Sequence, residues 1–231
     1  MSFQEEVNNK KNKKVRLAVF DMDGTILDTL EDLQDSLNVT LERMGYPLRT
    51  YEEVRSFVGN GIRKLIERAV PYGTEKEKIE QTFSLFMEYY ALHCADKTRP
   101  YEGITTLLKH LRDNGMLTAV VSNKAHQAVV DLCEEYFTGL FDVAVGEQEG
   151  MAKKPAPDSV WFVLEQLHID KKDAVYIGDS EVDLATARNS GLEAVIVDWG
   201  FRDADFLRQQ GAERMVSSAD ELEKVLLECN R

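Results

Sequence analysis

The sequence has no long apolar run, few cysteines and a shortage of positive charge. No segment approaches the roughly 18 consecutive apolar residues of a membrane-spanning helix. The N-terminal stretch MSFQEEVNNKKNKKVR carries charge but no apolar core of signal-peptide length. Membrane insertion and export are not expected, and a cytoplasmic protein is; KKNKK reads as a solvated, frayed terminus. The three cysteines, Cys94, Cys133 and Cys229, are odd in number and lack C-x-x-C spacing. That argues against a disulfide framework or a zinc site and for a reducing compartment. With 28 basic against 41 acidic residues the net charge is −13. Nucleic-acid binding, which runs on phosphate neutralisation by Lys and Arg, is not expected. An anionic substrate would need a locally positive site. The four histidines are scattered, with no partner at metal-ligand spacing.

What is present suits a folded enzyme-sized chain. At 231 residues and 43% hydrophobic content, one large domain or a medium domain plus a small one is possible. The apolar run Leu17–Phe20 reads as a buried strand. After Thr29 the period becomes helical, with Leu30, Leu33, Leu37, Leu41 and Met44 three and four apart, until Gly45 and Pro47. Thr50-x-x-Glu53 and Thr74-x-x-Glu77 read as capping boxes opening further helices. The second of these would present Ile79, Phe83, Phe86, Tyr90 and His93 on one face. Residues 30–95 are thus expected to be all helical.

From Pro100 helical stretches alternate with β-rich runs: LTAVVS (117–122), FDVAV (141–145), AVYIG (174–178), EAVIV (193–197) and a weaker RMVS (214–217). Such alternation predicts a parallel sheet covered by helices. The first strand must join that sheet, which makes the helical block an insertion, with hinges near Asp28–Leu30 and Ala95–Pro100. Trp161, Phe162 and Leu164 read as a core helix.

Ligands of open α/β sheets bind outside the carboxyl ends of the strands. Those ends carry Asp21 and Asp23; then Ser122, Asn123 and Lys124; then Lys153, Lys154 and Pro155; then Asp179, Ser180, Glu181 and Asp183. Acids, a hydroxyl–amide pair and lysines converge on one edge.

The motifs DMDGT, SNK, KKPAPD and GDSEVDLATARNSG, in this order, resemble the haloacid dehalogenase (HAD) superfamily over nearly the whole chain. The resemblance implies an α/β, Rossmann-like parallel core (1–29 and 96–231) with a small all-helical cap (30–95) inserted after the first strand. It makes Asp21 the candidate nucleophile, since a carboxylate can attack phosphorus and form an aspartyl phosphate. Asp23 would protonate the leaving alkoxide and then activate water. The superfamily's dehalogenases lack an acid at that second position, so its presence points to phosphoryl transfer. Crowded carboxylates repel by about 4 kcal/mol per pair at 4 Å and an effective dielectric near 20. Mg²⁺ relieves this, and by resemblance its ligands are the Asp21 carboxylate, the Asp23 backbone carbonyl and Asp179, with Asp183 in support. Ser180-x-x-Asp183 equally reads as a helix cap. Ser122, the Asn123 amide and Lys154 would hold the phosphoryl oxygens. Lys153 is also available, and Lys124 falls to an outer layer or to solvent.

Substrate choice is expected to lie in the cap. There FVGNGIRKLIERAV (57–70) opens a helix on glycines, whose amides make an anion site. GNG…L…ERA, KKPAPD and the later VDWGFRD resemble bacterial phosphoglycolate phosphatases. Gly59, Gly61, Arg63 and Lys64 are the candidate specificity residues, though Arg63 and Lys64 also read as solvent-facing charges; Arg202 is a candidate for the site mouth. The leading reading is a Mg²⁺-dependent phosphatase of a small phosphorylated metabolite, with 2-phosphoglycolate the first choice. A phosphomutase or pyrophosphatase on the same chassis is the alternative, and a non-catalytic phospholigand-binding regulator a third reading. The sequence does not decide between monomer and dimer.

Overall fold

The computed structural model describes residues 15–228; the KKNKK run and Cys229 lie outside them. The chain divides into two compact units, one over Leu27–Arg99 and the other formed by the chain up to Ile26 and from Pro100 onward.

In the second of these, β1 (Leu17–Phe20) is buried along its whole length. The brief β2 (Leu27–Asp28) and β3 (Arg99–Pro100) pair with each other and not with the main sheet. The sheet continues with β4 (Leu117–Ala125), β5 (Val143–Glu147), β6 (Ala174–Gly178), β7 (Glu193–Val197) and β8 (Met215–Val216). Its order is β5-β4-β1-β6-β7-β8, and every pairing is parallel. The α/β class expected from the alternation is the one observed. The chain steps outward from β1 through β4 to β5, then returns to β6 on the other side of β1. That reversal is the switch point where such sheets bind ligands.

Register aligns the strand ends. Phe20 sits opposite Val120 of β4 and Ile177 of β6, so Asp21, Ser122 and Asp179 all emerge at the same edge. Two runs differ from expectation. FDVAV pairs only from Val143, because Phe141 turns its ring onto Phe20 and Phe137 and the Asp142 carboxylate accepts from the Thr118 N–H. LTAVVS extends to Ala125 through an irregularity after Val121. The helix Asp158–Gln166 buries Val160, Val163 and Leu164 but exposes Trp161 and Phe162, contrary to the core reading of those two rings.

The helical unit holds α1 (Leu30–Arg43), α2 (Tyr51–Phe57), α3 (Ile62–Ala69) and α4 (Lys76–His93). Leu30, Leu33, Leu37 and Leu41 of α1 are all buried, each such side chain contributing about 1.5–3 kcal/mol. The Thr50/Glu53 capping box is formed. The Thr74/Glu77 box is not: α4 starts one residue later, after Glu75, and the Thr74 hydroxyl donates to the Pro71 carbonyl at 2.7 Å. The most buried residues of α4 are Thr82, Phe86 and Tyr90, whereas His93 stacks on Tyr89 and pairs with Asp96. At the base of the unit the buried Asp32 of α1 accepts from the Lys97 N–H (2.9 Å), the Thr98 N–H (2.8 Å) and the Thr98 hydroxyl (2.8 Å).

Candidate active site

Three carboxylates meet at the carboxyl edge of β1 and β6. Asp21, Asp179 and Asp183 are buried, and one oxygen of each lies within 4.8 Å of the others. Lys154 reaches in from the loop after β5, its Nζ lying 2.8 Å from Asp21 Oδ1, 2.9 Å from Asp183 Oδ1 and 3.1 Å from the Tyr176 hydroxyl. Burial works against the Lys154 charge, but Asp183 and Asp21 outweigh it and raise its pKa well above the ordinary value. One ammonium against three carboxylates leaves excess negative charge, and the acids register it. Burial and then Asp183 raise the Asp21 pKa, with Lys154 opposing. The same two causes push Asp179 up to about 7. In Asp183 burial is overcome by Lys154 and by neighbouring donors, and the pKa falls.

Each acid is held differently. Asp21 Oδ1 accepts from the Met22 N–H at 2.6 Å. Asp179 accepts from the Phe201 N–H at 2.7 Å and from the Thr25 hydroxyl at 3.2 Å. Asp183 accepts from Tyr176 (2.9 Å), from the Ser180 hydroxyl (2.5 Å) and from the N–H groups of Ser180 (3.1 Å) and Asp179 (3.3 Å). The cap over Glu181–Ser190 is therefore real, since Ser180 and Asp183 form a capping box. The same Asp183 side chain also anchors Lys154. Backbone space is equally tight. A Cβ on Gly24, whose φ is +87°, would lie 2.4 Å from Asp179 Oδ2, and one on Gly200 would lie 2.4 Å from Asp179 Cβ and from the Gly24 carbonyl. Glycine at both positions lets two loops close on one carboxylate.

The donor set fits a hard dication: three clustered carboxylates, no nitrogen or sulfur ligand, and negative charge in excess of the lysine present. Asp23 is not among the three. Its carboxylate Oδ1 lies 3.1 Å from Lys124 Nζ. Lys124 is thus placed at the site, not in solvent, and its N–H donates to Ser122 Oγ at 3.1 Å. Both polar atoms of the Asn123 side chain pair with the Lys154 backbone, at 3.0 and 2.8 Å, fastening the lysine loop to β4. Lys153 pairs with Glu147.

Arg202 is buried and bonded to Glu181 at 2.8 and 3.2 Å. In the helical unit Gly61 caps α3, with Gly59 two residues before it. Arg63 is bound by both Glu80 oxygens, at 2.6 and 3.0 Å, and Lys64 by Glu67 at 2.6 Å. Sequence reasoning gave no role to Tyr176, or to Gly24 and Thr25 of DMDGT and Gly200 of VDWGFRD. The three motif residues were marked by their motifs, and Tyr176 left a signal of its own: a tyrosine in an otherwise aliphatic strand needs a partner for its hydroxyl.

A family profile described as haloacid dehalogenase-like hydrolase matches residues 18–197. The chain belongs to this family. Among curated relatives, it is 34% identical over 192 residues to phosphoglycolate phosphatase 1 of Pseudomonas aeruginosa, covering 80% of this chain and 70% of that one. It is 32% identical over 217 residues to a phosphoglycolate phosphatase of Chromobacterium violaceum, covering 91% and 96%. A crystal structure of a candidate phosphoglycolate phosphatase from Lactobacillus delbrueckii subsp. bulgaricus is 39% identical, with a TM-score of 0.89, covering 92% of this chain and 98% of that one. Among the described residues no helix is long and apolar enough to cross a membrane.

Proposed function

We propose that this HAD-like hydrolase is a Mg²⁺-dependent phosphatase of a small phosphorylated metabolite, 2-phosphoglycolate first among them, acting through an aspartyl phosphate on Asp21. The α/β unit is its catalytic core and the helical unit its cap. The observation that carries the reading is the Lys154 ammonium bridging Asp21 and Asp183 inside a cluster of three buried carboxylates. The relatives named phosphoglycolate phosphatase support the choice of substrate.

In this reading both close donors of Asp21, the Met22 N–H and Lys154, meet Oδ1, and Oδ2 attacks phosphorus. The phosphorus–ester bond breaks, and Asp23 gives its proton to the departing alkoxide. Asp23 then takes a proton from water, whose oxygen attacks the acyl phosphate and returns Asp21 to a carboxylate with release of inorganic phosphate. Ser122 accepts from the Lys124 N–H and so has its own O–H to donate to a phosphoryl oxygen; Lys154 and the Asn123 backbone N–H serve the others, the Asn123 side chain being engaged with the Lys154 backbone. Asp21, the Asp23 carbonyl and Asp179 would hold Mg²⁺, which when bound supplies positive charge against the phosphoryl oxygens. Asp183, already accepting from Lys154, Tyr176 and three further donors, acts as support for Lys154 and the β6 end.

The test is phosphate release from a panel of phosphorylated metabolites with and without Mg²⁺. 2-Phosphoglycolate should rank above hexose phosphates and pyrophosphate in kcat/KM. A sugar phosphate or pyrophosphate leading by tenfold would reject the substrate, and no release from any panel member would reject the phosphatase.

A further inference from the structure

The geometry points to Lys124 as the residue that recognises the non-phosphate end of the substrate, and to monoesters of 2-hydroxycarboxylic acids as the class it selects. This rests on the phosphatase reading above and deepens it.

The cations expected to meet a substrate carboxylate are engaged elsewhere. Arg63 and Lys64 are bound to Glu80 and Glu67, and Arg202, the candidate for the site mouth, to Glu181; Lys154, on the phosphoryl side, is bound to Asp21 and Asp183. Lys124 differs in what it is paired with. Its side chain is only 7% exposed, and the acid it meets at 3.1 Å is Asp23, the residue proposed to work on the leaving group. Its backbone N–H meanwhile holds Ser122 Oγ, on the phosphoryl side. One residue therefore spans the phosphoryl end and the leaving-group end.

A group in contact with Asp23 lies close to the ester oxygen that Asp23 serves. In a 2-hydroxy acid monoester the carboxylate carbon is two bonds from that oxygen, so its oxygens fall within about 3–4 Å of it. The Lys124 ammonium can donate to both Asp23 and such a carboxylate, having three N–H groups. A charge-assisted bond in this largely enclosed setting is stronger than a neutral one. An alkyl leaving group offers Lys124 no acceptor and a hydroxyl only a neutral one, and sites built around a polar partner discriminate steeply against analogues that lack it.

The experiment compares kcat/KM for 2-phosphoglycolate with that for ethyl phosphate, in which a methyl replaces the carboxylate. The wild-type protein should prefer 2-phosphoglycolate by at least about 100-fold. Lys124→Met should cut that preference below tenfold, and Lys124→Arg should keep most of it. Absence of a wild-type preference overturns the substrate class along with the phosphoglycolate reading. A wild-type preference that survives in Lys124→Met overturns the role of Lys124 alone. Equal losses on both substrates also overturn it, since they would make Lys124 a positioning residue for Asp23. A crystal structure of Asp21→Asn with 2-phosphoglycolate needs no change at position 124. A carboxylate oxygen within hydrogen-bond reach of Lys124 Nζ supports the assignment, and a carboxylate turned elsewhere overturns it.

Discussion

Lys154 Nζ lies 2.9 Å from Asp183 Oδ1, with the two side chains 4% and 0% exposed. Removing one member of such a pair strands the other's charge, typically at a cost of about 3–5 kcal/mol. Lys154→Met should therefore destabilise the metal-free protein by about that amount at pH 8. At pH 5 the loss should be smaller, because Asp21 and Asp179, whose pKa values are raised, can shed their charge by taking protons. Urea unfolding at the two pH values checks this; a loss that is larger at pH 5 contradicts it.

Asp21→Asn keeps the shape of the side chain and removes the nucleophile. Turnover should drop by about 10³-fold or more, equivalent to about 4 kcal/mol of barrier. Asp23→Asn should slow breakdown of the intermediate, so that rapid quenching traps phosphate on Asp21 and mass spectrometry finds it there. Wild-type steady-state rates in either variant would refute the role assigned to it.

Metal and proton compete for the same carboxylates. Asp179 titrates at about 7 in the folded protein against an ordinary 3.8. Between those values the folded, metal-free protein keeps a proton that the unfolded chain has released, so this contribution to stability falls as pH rises through the window. Asp21 is shifted in the same direction. Asp183 is shifted the other way, and its contribution is lost only as pH falls below 3.8. Saturating Mg²⁺ should accordingly raise Tm more at pH 8 than at pH 6. An equal gain at both would count against the carboxylate cluster as the metal site.

Gly200→Ala would force a Cβ to within 2.4 Å of Asp179. Overpacking of this kind costs about 1–3 kcal/mol, and here the atom displaced is a proposed ligand. The Mg²⁺ concentration for half-maximal activity should rise about tenfold or more, a factor worth about 1.4 kcal/mol of binding. Gly45→Ala is the control: its φ is +70° but its Cβ would meet nothing within 4 Å. It should lower Tm without altering the metal requirement.

Much of this was readable from residue order because it depends on local pattern. β6 and β7 occupy the runs AVYIG and EAVIV without a shift, each being a short β-rich stretch between polar or glycine breaks. The convergence of Asp21, Ser122 and Asp179 follows from strand ends, which periodicity marks. What stayed hidden depends on tertiary neighbours. Phe141 belongs to an aromatic cluster and so lies outside the strand its β propensity suggests. Thr74 had the spacing of a cap, but the helix starts after Glu75, and the Thr74 hydroxyl instead belongs to the preceding turn, where it donates to the Pro71 carbonyl. Lys124 reads from residue order as an outer-layer or solvent lysine, and only the approach of the β1 loop to the end of β4 gives it Asp23. The glycines that crowd Asp179 stand in DMDGT and VDWGFRD but carry no chemistry of their own, so residue order does not say that both close on one carboxylate.

Asp32 has a consequence for how the chain can be assembled. By fastening Lys97 and Thr98 to the first turn of α1, it ties the exit of the helical excursion to its entry. Once that knot is made, the sheet meets the excursion as a short bridge between β1 and the chain that leads to β4, whatever its length. The entropy of closing a long loop, which grows by about 0.6 kcal/mol per doubling, is then borne inside the helical unit and not by the pairing of β1 with β4. Helices could be lengthened or exchanged behind the knot without disturbing the strand register that places Asp21 beside Asp179, which makes the excursion a replaceable part on a fixed chemical frame.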